Sequence, residues 1–170
     1  MKTLVLVFAV LALASTVAFA QAEARAGQFG IQTSVVFTAT NLSPGGSLGA
    51  KYMISNNMAI RAALGFENTS NLGTGYDIGA GFEYHFGGKG GVTPYVGGEF
   101  SYSSGTLSSG ATADSVFGLN GIFGAEYFFS SNFSWAGELS LGFFSASAAG
   151  TTVTTIGTGQ ALFILTWYIN

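Results

Sequence analysis

From Phe29 onward the chain alternates. Phe29, Ile31, Thr33, Val35 and Phe37 interleave with Gly30, Gln32, Ser34, Val36 and Thr38. The first set is apolar and the second mostly small or polar, and a period of two with unlike faces predicts a β-strand. The pattern returns at Leu48, Ala50, Tyr52, Ile54 against Gly49, Lys51, Met53, Ser55. It returns at Met58, Ile60, Ala62, Leu64, Phe66 against Ala59, Arg61, Ala63, Gly65, Glu67. A fourth segment sets Tyr76, Ile78, Ala80, Phe82, Tyr84, Phe86 against Asp77, Gly79, Gly81, Glu83, His85. In the fifth, Val96, Phe100 and Tyr102 oppose Gly97, Glu99 and Ser101. The sixth opposes Phe117, Leu119, Phe123, Ala125, Tyr127 and Phe129 to Gly118, Asn120, Gly124 and Glu126, with Ile122 and Phe128 breaking the rule. The seventh opposes Phe133, Trp135, Leu139, Leu141 and Phe143 to Ser134, Ala136, Glu138, Ser140 and Gly142. The last, Ala161 to Ile169 against Gln160 to Tyr168, is the least clean. The reading is eight strands.

Their connections come in two kinds. Ser55-Asn56-Asn57, Gly87 to Val92 and Ser130-Ser131-Asn132 are short turns. Asn41 to Ser47, Asn68 to Thr74, Ser104 to Ala113 and Ser147 to Thr152 are longer stretches of Ser, Thr, Gly and Asn. Short turns at one end and longer loops at the other predict an up-and-down barrel, and in outer-membrane barrels the short turns face the periplasm.

Composition says which side faces what. Hydrophobic residues make up 48% of the chain and charged ones only 8%, against about 25% in ordinary soluble domains. No later segment is a continuous apolar run of the ~20 residues that a spanning helix needs. Only helices and closed barrels satisfy their backbone groups in hydrocarbon, so the expected fold is all-β, an eight-stranded antiparallel transmembrane barrel with its apolar face on lipid. The first residues differ from the rest. Lys2, the apolar run Leu4 to Leu13, and Ala18-Phe19-Ala20 before Gln21 have the form of a secretory signal peptide. The expected domains are therefore a cleaved signal peptide at 1–20 and a barrel domain at 21–170; an uncleaved anchor helix is the alternative. Without the leader, four basic residues stand against eight acidic ones, a net charge of −4. The chain has no cysteine, hence no disulfide or thiolate metal site. It has no Lys/Arg cluster to neutralise phosphates, so nucleic acid is not an expected partner.

The strand parity puts every in-strand charge on the lumen side: Lys51, Arg61, Glu67, Asp77, Glu83, Glu99, Glu126 and Glu138. Counted from the short turns, Lys51, Arg61, Glu83 and Glu126 form a low, balanced layer. Glu99 and Glu138 stand higher, and Glu67 and Asp77 higher still, so the upper layers are acidic only. An eight-stranded barrel is just wide enough for its own side chains. Two uses follow. In the first, Lys51 and Arg61 pair with Glu83, Glu126 and Glu138 in an ionic core that plugs the lumen. In the second, small inward residues leave a narrow water path, and the surplus carboxylates favour cations.

Other chemistry finds little support. The single histidine, His85, lies on the lumen side at the short-turn end, away from an outer-leaflet substrate, and no G-x-S-x-G elbow accompanies it. Gly87 to Gly91 lacks the spacing of a phosphate loop. Asp77, Glu83 and His85 share one strand without useful metal-ligand spacing. No catalytic residue, cofactor or metal is expected.

One pattern recurs at strand ends. GAKYMISNN from Gly49, GAEYFFSSN from Gly124 and GFEYHFGG from Gly81 all write small, charged, Tyr, apolar, and LTWYIN closes the chain in the same style. Tyr52, Tyr84, Tyr127 and Trp167 thereby form an expected aromatic girdle on the periplasmic side, where amphipathic rings suit the head-group level.

The signal peptide, the Gly49 to Phe66 hairpin, T-P-Y-V-G-G-E-F from Thr93 and the aromatic C-terminus resemble the small outer-membrane β-barrel proteins of Gram-negative bacteria. These are the OmpA/OmpX-like group, also called the porin family or outer membrane protein beta-barrel domain. The resemblance implies an outer-membrane protein surrounded by lipids and lipopolysaccharide and inserted by the barrel-assembly machinery; a closed eight-strand ring needs no partner, so a monomer is expected. The resemblance also implies a structural or surface-interaction role, with a narrow cation-preferring pore as the alternative. A lipocalin-like soluble carrier and a lipid-modifying enzyme are further alternatives; a carrier would have the reverse polarity, apolar within and charged outside. Two departures stand out: Asn170, not an aromatic, is the last residue, and the chain stops at the barrel, so cell-wall anchoring is not expected.

Overall fold

A computed structural model describes residues 25–37, 42–43, 47–69, 73–87, 91–106, 115–148, 151–158 and 161–169. The expected signal peptide at 1–20 and most long-loop residues lie outside these ranges. Among the described residues every regular element is a strand: β1 Phe29–Phe37, β2 Leu42–Ser43, β3 Leu48–Met53, β4 Met58–Thr69, β5 Gly73–His85, β6 Val92–Thr106, β7 Ser115–Ser130, β8 Phe133–Ala148, β9 Thr151–Thr158 and β10 Ala161–Ile169. No helix of the described residues is long and apolar enough to cross a membrane.

The staves run β10-β1-β3-β4-β5-β6-β7-β8, all pairings antiparallel, and β8 pairs with β10 to close the ring. Closure leaves eight staves and removes the sheet edges that would otherwise need cover. Two short additions depart from the expected strand plan. β2 folds back on the top of β1, pairing Val36 with Ser43. The stretch Ser147 to Thr152, expected as a loop, is mostly strand: β8 continues to Ala148 and β9 pairs with it from Thr151. The eighth stave is broken between Thr158, opposite Leu141, and Leu162, opposite Glu138. The Thr-rich run TTVTTIGT has no polar alternation because the structure leaves β9 exposed along nearly its whole length.

The parity of the faces follows the sequence. Outward residues are large and exposed, among them Leu64, Phe82, Leu119, Phe123 and Leu141. Their rings gather at two levels. Near the short turns Phe129, Phe133, Tyr127, Trp135 and Trp167 form a continuous contact chain at centroid spacings of 5.0–6.4 Å. Toward the loops Phe100 meets Phe117 and Tyr76 meets Tyr102. Such paired girdles bound the apolar band of membrane barrels.

The interior is filled in its lower half. Met53, Ala59, Phe128 and Tyr168 pack as a buried apolar layer beside the short turns. Tyr95, Ile122, Ala136 and Ile164, with Leu162 against them, line one wall above it. Ile122 and Phe128, the two breaks in the sixth strand's alternation, are therefore core residues. Inward glycines make this filling possible by close approach. A Cβ at Gly124 would stand 2.6 Å from the Tyr95 ring, and one at Gly30 2.7 Å from Thr166 and 3.3 Å from Tyr168. Gly91 opens β6 at φ +80, a left-handed conformation natural to glycine.

Candidate functional site

The repeated strand-end motif builds two layers across the lumen. Its charged position gives Lys51, Glu83 and Glu126, and the C-terminal copy gives Thr166; all four are buried. The next inward position gives Met53, His85, Phe128 and Tyr168, also buried. The Asn that ends two of the copies anchors a neighbouring strand. Asn57 accepts the His85 backbone N–H at 2.7 Å and donates its Nδ2 to the His85 carbonyl at 3.0 Å. Asn132 does the same with Tyr168, at 2.8 and 3.0 Å. These bonds hold the ends of β5 and β10, which carry two of the side chains that reach the charges.

Above the apolar layer the charges form one connected network. Lys51 Nζ lies 2.6 Å from Glu83 Oε2 and 2.9 Å from Glu126 Oε2. It also sits 5.6 Å from the centroid of the Tyr95 ring. Arg61 makes a two-toothed contact with Glu138, Nη1 to Oε2 at 2.6 Å and Nη2 to Oε1 at 2.9 Å. The same guanidinium reaches Glu83 at 3.2 Å and pairs with Glu99. The remaining lone pairs are filled by neutral donors. Ser134 Oγ and Tyr168 OH donate to Glu126 Oε1 at 2.5 and 2.8 Å, and Tyr95 OH donates to Glu138 Oε2 at 2.9 Å. His85 Nε2 lies 2.8 Å from Glu83 Oε2, its ring stacked on Tyr95.

Two of these pairs span the lumen. β3 and β7 are four staves apart on an eight-stave ring, and so are β4 and β8. Lys51–Glu126 and Arg61–Glu138 therefore join opposite walls. Burial of an ion pair costs several kcal/mol per ion, recovered only when geometry and extra hydrogen bonds are good. Here every network carboxylate has at least one cationic partner, and Glu126 and Glu138 have tyrosine donors as well.

The expected site residues fall into three groups. Lys51, Arg61, Glu83, Glu126 and Glu138 meet in the network. Glu99 joins it too, although its height on the strand had set it in an acidic upper layer; the long Arg61 side chain spans the difference. Asp77 does not join. It is exposed on the loop side of the lumen, and Gly65 opposite leaves the space its carboxylate occupies. Glu67 lies in β4, but its side chain is outside the described residues. Of the aromatic set, Tyr52, Tyr84 and Trp167 are exposed and Tyr127 is half-buried between Phe129 and Trp135.

Sequence reasoning missed Tyr95, Tyr168 and Ser134 as members of the network. Tyr95 shares the inward parity of Gly97 and Glu99, which was the available signal. It also missed that Glu126, from another strand, joins Glu83 and His85; one donor atom from each lies within 4.8 Å of the others. Such a set could hold a cation, and the Lys51 ammonium is the cation that bridges its two carboxylates. Above the network a cavity of about 310 Å³ extends toward the loops, floored by Arg61 and Glu99.

A closed eight-stave ring with an ionic lumen can now be set beside known proteins. The family model for the outer membrane protein beta-barrel domain matches residues 4–159. The chain belongs to this family. Its members are outer-membrane proteins, which places the barrel in the Gram-negative outer membrane. Among solved structures, the N-terminal β-barrel domain of Pseudomonas aeruginosa OprF is similar at 17% identity and a TM-score of 0.59, over 85% of this chain and 98% of that one. Neisserial surface protein A (NspA) is similar at 19% identity and a TM-score of 0.50, over 82% of this chain and 94% of that one. At these identities the likeness establishes the fold. No curated protein matches the chain.

Proposed function

We propose that this family member is a structural barrel of the outer membrane, without catalytic activity, whose lumen is plugged and whose loop end is available for surface interaction. The observation that carries the reading is the pair of bridges across the lumen, Lys51–Glu126 and Arg61–Glu138, seated on the apolar layer of Met53, Ala59, Phe128 and Tyr168. Water-filled passage requires breaking both bridges and moving that layer. His85, the single histidine, bonds to Glu83 inside the network, an arrangement of a structural group and not of a base beside a nucleophile.

The reading includes an orientation. The short turns lie in the periplasm, with Tyr52, Tyr84, Tyr127 and Trp167 at the inner-leaflet head groups. The leader is removed before Gln21, the assembly machinery inserts the chain through its C-terminal aromatic strand, and the closed ring works as a monomer among lipids and lipopolysaccharide.

In planar bilayers, folded protein at neutral pH is expected to give no discrete conductance steps. Steps that recur in independent preparations and vanish on heat unfolding would overturn the plugged reading. A second reading, a narrow cation-preferring pore, is favoured by one observation: the loop-side cavity reaches down to Arg61 and is bordered by Asp77 and the half-buried Glu99. Under that reading the steps are present and their cation preference falls in Glu99→Gln.

A further inference from the structure

The loop-side cavity has an apolar side and an acidic side. Phe144, Leu162 and Ile164 present apolar side chains from β8 and β10. Asp77, Ser101 and Ser103 stand on β5 and β6, with Val116 next to Ser103, and Gln32, Ser34 and Ser47 complete the lining. β5 and β10 are four staves apart, so the Asp77 carboxylate faces the Leu162–Ile164 wall across the lumen. A plug needs neither the cavity nor this polarity, since the network below already closes the barrel.

The formal charge in and under the cavity is net negative. The network holds Lys51 and Arg61 against Glu83, Glu99, Glu126 and Glu138, two cations against four carboxylates. Asp77 adds a further negative charge. The two cations are held by network carboxylates, while Asp77 has no hydrogen bond or ion pair among the described residues. Its seat is built, because a Cβ at Gly65 would overlap the carboxylate. Low-dielectric walls focus such a field on the space between them. At about 310 Å³ the cavity is at the small end of ligand sites.

We propose that this cavity is a binding site for a small amphipathic cation, a primary ammonium on a compact apolar body. The ammonium sits on Asp77, with the Ser101 and Ser103 hydroxyls beside it, and the apolar body lies against Phe144, Leu162 and Ile164. The site lies above the ionic plug, with only Arg61 and Glu99 common to both, and it does not require the lumen to conduct.

The test is a chemical-shift titration of the folded barrel in non-ionic micelles, read at the amides of Ser101 and Ser103. The probes are phenethylammonium, its neutral near-isostere phenethyl alcohol, and phenylacetate. The ammonium is expected to saturate, the alcohol to bind about tenfold more weakly and the anion not to bind, as one charge-assisted contact implies. Asp77→Asn is expected to weaken the ammonium about tenfold and to leave the alcohol unchanged; the residue is exposed and outside the plug, so the barrel still folds. The micelle is common to all arms, which removes partitioning from the comparison. Absence of saturation by the ammonium, equal affinity for ammonium and alcohol, or an unchanged affinity in Asp77→Asn would each overturn the proposal.

Discussion

Arg61→Leu will destabilise the folded barrel by about 3–5 kcal/mol, the cost of leaving buried charges without their partner. Glu138 loses both teeth of its contact, and Glu83 and Glu99 each lose a cationic partner. Glu83 keeps Lys51 and His85, so the larger loss falls on Glu138, which retains only the Tyr95 hydroxyl. The measurement is urea unfolding in lipid vesicles, followed by the band that migrates faster unless boiled. Adding Glu138→Gln to Arg61→Leu removes the most isolated charge and should recover part of the loss. A double variant no more stable than the single one would mean that Glu138 is not held by Arg61.

Phe123→Arg will cost about 2–4 kcal/mol, the penalty for a guanidinium at mid-depth on the lipid face. Phe123 is exposed, lies midway along β7 and is paired with Val96 and Leu139, both also outward. The same substitution at Ile156, on β9 nearer the loops and opposite Phe143, should cost less because the penalty fades toward the interface. Exposure cannot account for that difference: Ile156 is 79% exposed and Phe123 49%. Depth in hydrocarbon can. Equal costs at the two sites would mean that neither lies in lipid.

The number of staves and the face of each residue were legible because both come from a period of two. Lys51 must point away from Tyr52, and Glu126 away from Tyr127, whatever the barrel's radius. Which side chains meet was not legible, because that depends on the stagger between strands and the reach of each side chain. Glu99 stands above Arg61 by residue count, yet the long guanidinium side chain spans the gap. Asp77 stands higher again, and no cation of the network reaches it. Tyr95, Tyr168 and Ser134 carry no charge and so drew no notice, although their hydroxyls complete two carboxylates of the network. The broken eighth stave was hidden for another reason. Its upper half, Thr151–Thr158, is exposed along nearly its whole length, so burial puts no pressure for alternation on it. The strand-end motif was visible as a repeat, but its second function, a layer of Met53, His85, Phe128 and Tyr168 beneath the charges, follows only once four strands converge.

Two adjacent residues on β6 test the two-sided wall most directly. Nitroxide labels at Phe100 and Ser101, in separate variants reconstituted in vesicles, report contact with molecular oxygen, which concentrates in lipid, and with a water-soluble nickel chelate. Phe100 faces outward beside Phe117, and Ser101 lines the cavity. The label at Phe100 should be relaxed by oxygen and shielded from the chelate. At Ser101 the oxygen effect should be weaker and the label's spectrum that of a polar, hydrated setting. A polar signal at Phe100 with a hydrocarbon signal at Ser101, or the same signal at both, would contradict a barrel with its apolar face on lipid and its charges within.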